Sequence, residues 1–516
     1  MEAGSLSDID ALAEVSMGGM NPHRIRAIAA SLLLSACGGS SSSNPPNLTV
    51  SPSSFTVTAG GPAVDFTATL RNTTGTIAWS LTGPGTLGSG SGTSTTYFPP
   101  ATVSSATSAT VTATAGGLSS RATVTISPPP PITVAGTVID ERSRKVSGAA
   151  VTVGGRTVNS DGNGAFSITD VTPPYDVVAI APGSTKTASV YKGLTRPDPA
   201  IVLFISGGPS LKGGQVTGNV TGGDALGAFL EHTVVAWGSR EVATSISVDS
   251  NPYTLNIPWS TAANALDGSV HALQWTQGTD GLLVFKGYGV RSGVRVSDSE
   301  TTNNVDVAMT APIASSVAGT IVAPSGVQAD RTSISIDWSD NASISLASKS
   351  GTTTSFDWVF PSGTGGTASV TVSGHAALGE FVLRRTGGIA AGTTNASIAL
   401  PTPVSPLSPA NAETGVGTST DFSWTALSST ISILIVQGSS GTRTPSLAVF
   451  TAGSTARIPD LSAQGLGLPA MSSFQWHVVG VGPHPTLDSA AGPTSIIPSG
   501  TDLFQGLTPV RTFTTP

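Results

Sequence analysis

The sequence is poor in charge, in aromatic side chains and in cysteine. Charged residues make up 10% and aromatic residues 5% of the 516 residues, whereas an average globular protein carries about 25% charged residues. Cys37 is the single cysteine, so each domain must be held together by its own core rather than by disulfides. The formal net charge of −7 argues against nucleic acid or an anionic membrane surface as a partner.

Motifs that carry catalysis are missing as well. None of the six histidines belongs to a His-Glu-x-x-His or His-x-His pattern, which excludes the usual ligand set of a zinc protease. The chain has no Gly-x-Ser-x-Gly elbow and no Gly-x₄-Gly-Lys phosphate loop. His271 and His477 alternate with apolar neighbours and are predicted to lie on sheet faces rather than to bind a ligand. We therefore expect neither enzymatic activity nor a cofactor.

What the sequence does contain is alternation. Apolar residues recur at every second position in many short runs, for example at Phe66, Ala68 and Leu70, and again at Val370 and Val372. The runs end in Gly, Pro, Asn or Ser, as antiparallel sandwich strands do. Between Cys37 and Pro516 no stretch shows convincing helical periodicity. The pattern predicts an all-β protein of tandem antiparallel β-sandwiches, and the length favours several domains.

The N-terminal region has the organisation of a secretory signal. Arg24 and Arg26 precede a short apolar run at 27–34, and small residues follow before Cys37. Leu34-Ser35-Ala36-Cys37 resembles the lipobox of bacterial lipoproteins, which implies cleavage before Cys37 and a diacylglycerol on its sulfur. A buried helix or an uncleaved span is the alternative, but the run is about half of the roughly 20 residues that a span needs.

Residues 1–36 are therefore predicted to be the signal and residues 37–46 a flexible tether. Residues 1–19 carry four acidic side chains, the wrong charge for such a signal, so Met20 is the expected true start. The resemblance implies a membrane anchor through the N-terminal lipid. Gly38 after the cysteine favours the outer membrane or the cell surface.

Residues 47–127 are the first predicted domain, and it ends at the spacer Pro128-Pro129-Pro130-Pro131. The segment 50–70, Trp79 and the segment 97–101 resemble bacterial immunoglobulin-like domains of surface proteins. This resemblance implies a sandwich with Trp79 buried between its two sheets.

Three units with similar opening strands follow, at 131–206, 210–311 and 314–401. The first contains Gly148-Ala149-Ala150-Val151 and Asp161-Gly162-Asn163-Gly164-Ala165-Phe166, and it resembles carboxypeptidase regulatory-like domains. This implies a small transthyretin-like sandwich of seven strands. The other two units keep the opening and closing strands but lack the Asp-Gly hairpin, so 210–311 is predicted as a second regulatory-like sandwich and 314–401 as a third sandwich.

Residues 403–516 resemble a fibronectin type III domain. The residues that carry the resemblance are Pro409, Trp424, the segment 458–461, Phe474, Trp476 and Val478. It implies that Trp424 packs in the core. The stretch 480–506, rich in Gly, Pro and Ser, is longer than that fold needs.

Two candidate ligand sites follow from local patterns. Asn159, Asp161, Asn163 and Asp170 fit the spacing of a calcium loop, but the turn of a β-hairpin is the favoured alternative, because a calcium loop lies between helices and ends in Glu. Trp259, which follows Pro258 at a strand end, is the best candidate for an exposed sugar-binding aromatic.

The sequence thus favours a membrane-anchored surface lipoprotein. Its independently folded sandwiches would form a rod for adhesion, spacing or envelope scaffolding, with glycans or surface proteins as possible partners. The alternative is a polysaccharide-binding accessory protein that uses the units at 131–206 and 210–311.

Overall fold

The structure is a computed structural model. It describes residues 44–141, 143–183, 187–205, 212–259, 263–279, 281–428, 430–438, 446–492 and 502–516. The fold is all-β, as predicted, and the described residues contain only two short helical segments, the 3₁₀ turn Ser462–Gln464 and α1, Leu487–Ala490. Neither of these described segments is long or apolar enough to cross a bilayer. The Cα positions divide into two compact units, and the second takes Thr125–Pro516 together with Thr56–Pro62 and Pro99–Ser108.

The N-terminal domain, residues 47–127, has two four-stranded sheets, ordered β1-β3-β6-β5 and β2-β8-β7-β4. The strands are β1 Asn47–Ser51, β2 Ser54–Thr58, β3 Val64–Arg71, β4 Ala78–Thr82, β5 Thr86–Leu87, β6 Ser94–Phe98, β7 Thr107–Ala115 and β8 Leu118–Ser127. Alternate residues are buried, as period-two patterning requires, and Phe66 and Ala68 are among them.

Trp79 is buried, as the immunoglobulin-like resemblance implies. Its indole N–H donates to the Gly92 carbonyl at 2.9 Å, and the Tyr97 hydroxyl donates to the Pro84 carbonyl at 2.7 Å. Burial raises the pKa of Tyr97. Both large polar aromatics therefore satisfy their hydrogen-bonding groups inside this domain.

The described residues of the second domain (131–206) form seven strands. They are β9 Ile132–Asp140, β10 Ala150–Val153, β11 Arg156–Asn159, β12 Ala165–Val171, β13 Tyr175–Ile180, β14 Thr187–Leu194 and β15 Ala200–Leu203. One sheet has the order β12-β9-β15, and β11, β10, β13 and β14 are neighbours in the other.

The third domain (210–311) contains the sheets β20-β16-β23 and β19-β18-β21-β22 and the pair β17-β24. Its strands are β16 Lys212–Gly218, β17 Val220–Thr221, β18 Glu231–Gly238, β19 Ala243–Ser247, β20 Tyr253–Trp259, β21 Ala265–Gln277, β22 Leu283–Ser297, β23 Thr301–Thr302 and β24 Val307–Ala308.

The fourth domain (314–401) has the sheet β28-β25-β31 and a second layer ordered β30-β29-β26-β27. Its strands are β25 Ile313–Val322, β26 Val327–Asp337, β27 Ser343–Ser350, β28 Ser355–Ser362, β29 Thr367–Ala376, β30 Phe381–Ile389 and β31 Ala396–Ala399.

The last domain (403–516) has the sheet β32-β34-β37 and a second layer ordered β36-β35-β38-β39, with β40 paired to β38 and β33. Its strands are β32 Pro406–Ser408, β33 Glu413–Thr414, β34 Phe422–Trp424, β35 Ile431–Gly438, β36 Ser446–Thr451, β37 Thr455–Ala456, β38 Ser473–Gly482, β39 Asp502–Leu507 and β40 Arg511–Thr514.

The last domain joins the second and fourth domains into one 14-stranded sheet. Strand β14 pairs in parallel with β36, from Thr187 opposite Ser446 to Tyr191 opposite Phe450. Strand β30 pairs antiparallel with β39, along Phe381–Thr386. In residues 131–516 the sandwiches are thus not separate from one another, because strands at their edges pair across domain boundaries. Such pairing satisfies backbone groups that an edge leaves open.

The hydrophobic cores are shared in the same way. One cluster contains Val177 and Tyr191 of the second domain together with Phe450 of the last. Another contains Ala188 and Val190 of β14 with the last domain's own core. Strand β14 is thus buried on both faces, as strands in parallel pairings usually are.

A third cluster joins the third and fourth domains. It contains Leu273 and Trp275 of β21 together with Ile336 and Trp358. The other face of the same sheet packs into the third domain's own core, which includes Trp237. The sheet β19-β18-β21-β22 is therefore a middle layer, covered by apolar side chains on both sides.

Candidate functional site

Cys37, the predicted lipidation site, lies outside the described residues. The prediction that Trp259 is exposed is wrong: its side chain is 1% exposed, and its N–H donates to the Ala263 carbonyl at 2.9 Å. Trp259 keeps the inward register of β20 to the end of the strand. The other seven tryptophans of the chain are buried as well, so no tryptophan supplies a surface platform for a sugar.

The calcium-like string runs through the turn between β11, which pairs with β10, and β12, which pairs with β9 in the other sheet. Asp161 Oδ1 accepts the backbone N–H groups of Asn163 and Ala165, each at 2.8 Å. Asn159 lies in β11, opposite Ala150, and the Asp170 carboxylate lies 3.7 Å from an Arg156 nitrogen. Asp161 thus closes a turn, as the favoured alternative to a calcium loop predicts, but the prediction that its flanking strands form a hairpin is wrong, because the turn crosses from one sheet to the other. Among the described residues no group of three His, Cys, Asp or Glu side chains is placed to hold a metal.

The second compact unit contains three junctions between neighbouring sandwiches. At the junction of β14 and β36, the rings of Tyr191 and Phe450 stack with centroids 4.1 Å apart. The Tyr191 hydroxyl accepts the Val202 N–H at 3.1 Å, and burial raises the pKa of Tyr191. An offset stack of this kind adds about 0.5–1.5 kcal/mol to the area it buries.

A set of hydrogen bonds between residues 195–200 and 488–491, called the Asp488 clasp, also joins the two domains at this junction. The Asp488 carboxylate at α1 accepts the N–H groups of Thr195 at 2.8 Å and Arg196 at 3.1 Å, and also the Thr195 hydroxyl. The Arg196 guanidinium donates to the Asp488 carbonyl at 2.6 Å. Ala200 N–H donates to the Ala491 carbonyl at 2.8 Å. Because a carboxylate accepts several donors here, the clasp is stronger than a single neutral hydrogen bond.

At the junction of β30 and β39, a cation–π contact adds to the backbone pairing. The Arg384 guanidinium lies 5.2 Å from the centre of the Phe504 ring, and one of its nitrogens lies 3.4 Å from Asp502 Oδ1. Beside it the buried Glu380 accepts the Ser405 hydroxyl at 2.9 Å. Strand β39 comes from the stretch 480–506 that exceeds the fibronectin-like pattern, and its position explains the extra length.

The third junction, called the His271 junction, joins β21 and β22 to the loop after β26. His271 is buried; its Nε2 lies 2.8 Å from Asp340 Oδ2 and its Nδ1 lies 3.0 Å from the Tyr288 hydroxyl. The ring stacks on Trp338 at 4.4 Å. Asn341 Nδ2 donates to the Ser239 carbonyl at 3.0 Å across the same boundary.

The electrostatics of the His271 junction fit a satisfied polar network. Burial raises the pKa of Asp340, but the hydrogen bond and charge of His271 and the Ala342 N–H outweigh it, so this pKa lies below its usual value. Burial raises the pKa of Tyr288 to about 12. Tyr288 therefore stays a phenol, whose oxygen lies within hydrogen-bond distance of Nδ1, while Nε2 donates to the carboxylate.

Sequence reasoning placed His271 and His477 on sheet faces, and both lie within strands. His477 is half-buried, and burial lowers its pKa. What the sequence missed is that His271 faces a neighbouring domain. No local pattern identifies Asp340 and Trp338 as its partners, because they lie about 70 residues further along the chain.

Comparisons with other proteins give no family. No protein-family description matches the chain, and no curated protein is significantly similar to it. Among solved structures, the Bacillus anthracis TIE protein is 10% identical, covering 70% of this chain and 75% of its own, with a TM-score of 0.22. The open pilus adhesin SpaC of Lactobacillus rhamnosus GG is 11% identical, covering 63% and 56%, with a TM-score of 0.14. The major pilin BcpA of Bacillus cereus is 8% identical, covering 52% and 99%, with a TM-score of 0.11.

TM-scores this low do not show that these proteins share an arrangement of domains with this chain. The fold itself defines the chain as a multidomain β-sandwich protein.

Proposed function

We propose that this protein is a lipid-anchored protein of the bacterial envelope that acts as a structural body for adhesion, spacing or envelope scaffolding. The observation that carries the proposal is the continuous sheet through the second, last and fourth domains. The lipobox-like run ending at Cys37 and the tether at 37–46 support the anchor. We also propose that the protein is neither an enzyme nor a nucleic-acid binder, on the grounds of its motifs and net charge.

The junctions support a structural role because they oppose movement between domains. Domains linked by small polar interfaces usually move relative to each other. Here backbone pairing, shared apolar clusters and the Asp488 clasp act together. A body built in this way holds surfaces at a fixed geometry, which is what a scaffold or a spacer requires.

The anchor is tested by Cys37→Ser in cells that express the full chain. Wild type should fractionate with membranes and incorporate labelled palmitate. The variant should be soluble and unlabelled, because two or three acyl chains, at about 0.8 kcal/mol per buried CH₂, provide the attachment. Equal membrane fractions for the two chains, or no label in wild type, would overturn the anchor.

Two experiments test the structural role. One measures whether protease reaches the protein on intact cells, and the other uses a variant whose domain junction is broken. Protease added to intact cells should cleave the wild-type chain if it faces outward. A variant with a broken β14–β36 junction should remain anchored but lose attachment, or lose the envelope partners captured by chemical crosslinking. Unchanged attachment and an unchanged crosslinking pattern in such a variant would contradict a structural role for the joined domains.

Polysaccharide binding is the second candidate, and burial of Trp259 removes the aromatic on which it was based. One observation still favours it: the third domain has a groove on the outer face of the sheet β20-β16-β23, and both polar side chains and apolar atoms line it.

A further inference from the structure

The sheet β20-β16-β23 has two chemically different faces. The inner face is apolar and buried, with Val216, Leu255 and Ile257 in the domain core. The outer face carries Gln215 and Asn256, which are exposed. A groove of about 470 Å³ crosses this outer face, lined by residues 212–215, 256–258 and 299–301.

The backbone at Gly213 forms the floor of this groove, because glycine has no side chain to cover it. Gly213 lies opposite Pro258 in the strand register, one step along the outer face from the pair Gln215 and Asn256. A Cβ at Gly213 would lie 3.3 Å from the Ile257 carbonyl oxygen, and the backbone there forms the floor. A ligand can therefore approach the sheet closely at this point.

The polar side chains beside the floor are held in place by one another. Gln215 Nε2 donates to Asn256 Oδ1 at 2.9 Å, and the Thr301 hydroxyl donates to Gln215 Oε1 at 3.3 Å. Asn256 still carries its two amide hydrogens, and each carbonyl oxygen has a second lone pair. This row of hydrogen-bonded side chains, called the ladder, holds donors and acceptors in place on a rigid sheet. Less entropy is therefore lost when a ligand binds.

The chemistry of the groove excludes several ligand classes. Strand β16 has partners on both sides, so an extended peptide cannot add to its backbone. Lys212 Nζ donates to Asn264 Oδ1 at 2.7 Å. The negative charge of Glu300 in the same lining offsets the lysine charge, so the groove does not favour phosphates or other anions. The lining of amides, hydroxyls and glycine offers little to a lipid.

We infer that this groove binds a neutral oligosaccharide. Sugar hydroxyls both donate and accept, as the side-chain amides of Gln215 and Asn256 do, and the exposed ring of Pro258 offers an apolar surface to sugar C–H groups. The inference adds a ligand class to the proposed surface protein. It does not depend on the lipid anchor, because binding is measured on soluble chain.

The experiment uses the full chain carrying Cys37→Ser and four probes, the hexasaccharides of cellulose, xylan, mannan and chitin. Isothermal titration calorimetry should show at least one of them binding with a Kd below about 1 mM. The double variant Gln215→Ala, Asn256→Ala should weaken that binding at least about tenfold. Thr254→Ala, an exposed change on the same face of β20 outside the groove lining, should leave it unchanged.

A second readout avoids dependence on the variant's folding. Hydroxyl-radical footprinting of the unmutated groove should show protection of Pro258 when the binding sugar is saturating. Absence of binding by all four probes overturns the inference, as does binding that survives the double variant or that leaves Pro258 unprotected. Each of these results leaves the membrane-fraction test of the anchor unaffected, so the two proposals fail separately.

Discussion

The N-terminal domain and residues 131–516 use the same kind of strand in opposite ways. In residues 47–127 every strand pair lies within the domain, and both sheets end at their own edge strands. In residues 131–516, β14 and β30 pair with strands of another domain, and apolar clusters cross the same boundaries. In both regions, strands with alternating apolar residues form a sandwich. The edge strands determine whether that sandwich is separate from its neighbours or shares a sheet with one of them.

The burial of β14 shows the physical difference. Residues 187–191 of β14 are all buried, whereas β3 of the N-terminal domain alternates between buried and exposed positions. A strand covered on both faces and paired at its edge has no surface left for water. The second domain therefore depends on the last domain for part of its stability.

Phe450→Ala should have the largest effect. It removes the ring that stacks on Tyr191 and should cost about 3–5 kcal/mol, as large-to-small core changes do. Because the cluster is shared, the second and last domains should unfold together at lower urea. Pulse proteolysis, with fragments assigned by mass spectrometry, measures this.

Phe66→Ala is the matched control for Phe450→Ala, since Phe66 is fully buried in the N-terminal domain. It should lower the unfolding midpoint of residues 47–127 alone. A second domain that keeps its wild-type midpoint in Phe450→Ala would contradict the shared core.

Asp488→Ala should come next. It removes the hydrogen-bond acceptor for Thr195 and Arg196. The free energy of unfolding should fall by about 1.5–3 kcal/mol, the range for hydrogen bonds to a charged group. Thermal melts of the full chain check it. Asp267→Asn breaks a surface ion pair with Arg295 and should cost at most about 1 kcal/mol. Equal melting temperatures for the two variants would show that the clasp does not stabilise the junction.

Gly506→Ala probes how β39 packs within the last domain. The added Cβ would lie 2.7 Å from a methyl of Val404 and 2.9 Å from one of Leu427, so overpacking should cost about 1–3 kcal/mol. Urea titration followed by fluorescence measures the loss. At Gly417 a Cβ meets nothing closer than 4.0 Å, so Gly417→Ala should be neutral, and equal losses at both positions would contradict the packing around β39.

The His271 junction should give the smallest effect, and one that depends on pH. The pKa of Asp340 is lowered in the folded protein, so its contribution is complete above the usual value of about 4 and is lost as pH falls through the lowered folded value. Wild type should therefore lose more stability than Asp340→Asn between pH 6 and pH 2. Parallel losses in the two proteins would show that His271 does not stabilise the Asp340 carboxylate.

The sequence predicted strands well and their neighbours poorly. Phe66, Val370 and Val372 are buried where alternation placed them. The Asp161 turn formed, but the strands on either side of it pair with β10 and β9 rather than with each other. The pairing of β14 with β36 was not predictable. An alternating pattern indicates which face of a strand is buried, but it does not indicate which strand lies beside its edge.

The candidate sites show the same limit. Trp259 lies at the end of a strand, as its position after Pro258 suggested, but it was misjudged because it keeps the inward register of β20 and is buried. The ladder of Gln215, Asn256 and Thr301 assembles residues from three strands that are up to 86 positions apart. Only the register of the folded sheet brings them together.

Native-state hydrogen exchange on the wild-type chain tests the central claim most directly. The account predicts that amides of Thr187–Tyr191 and Ser446–Phe450 are as protected as the core strands β13 and β35, and that increasing urea opens the second and last domains in one step. Rapid exchange of these amides, with two domains that open separately, would contradict it.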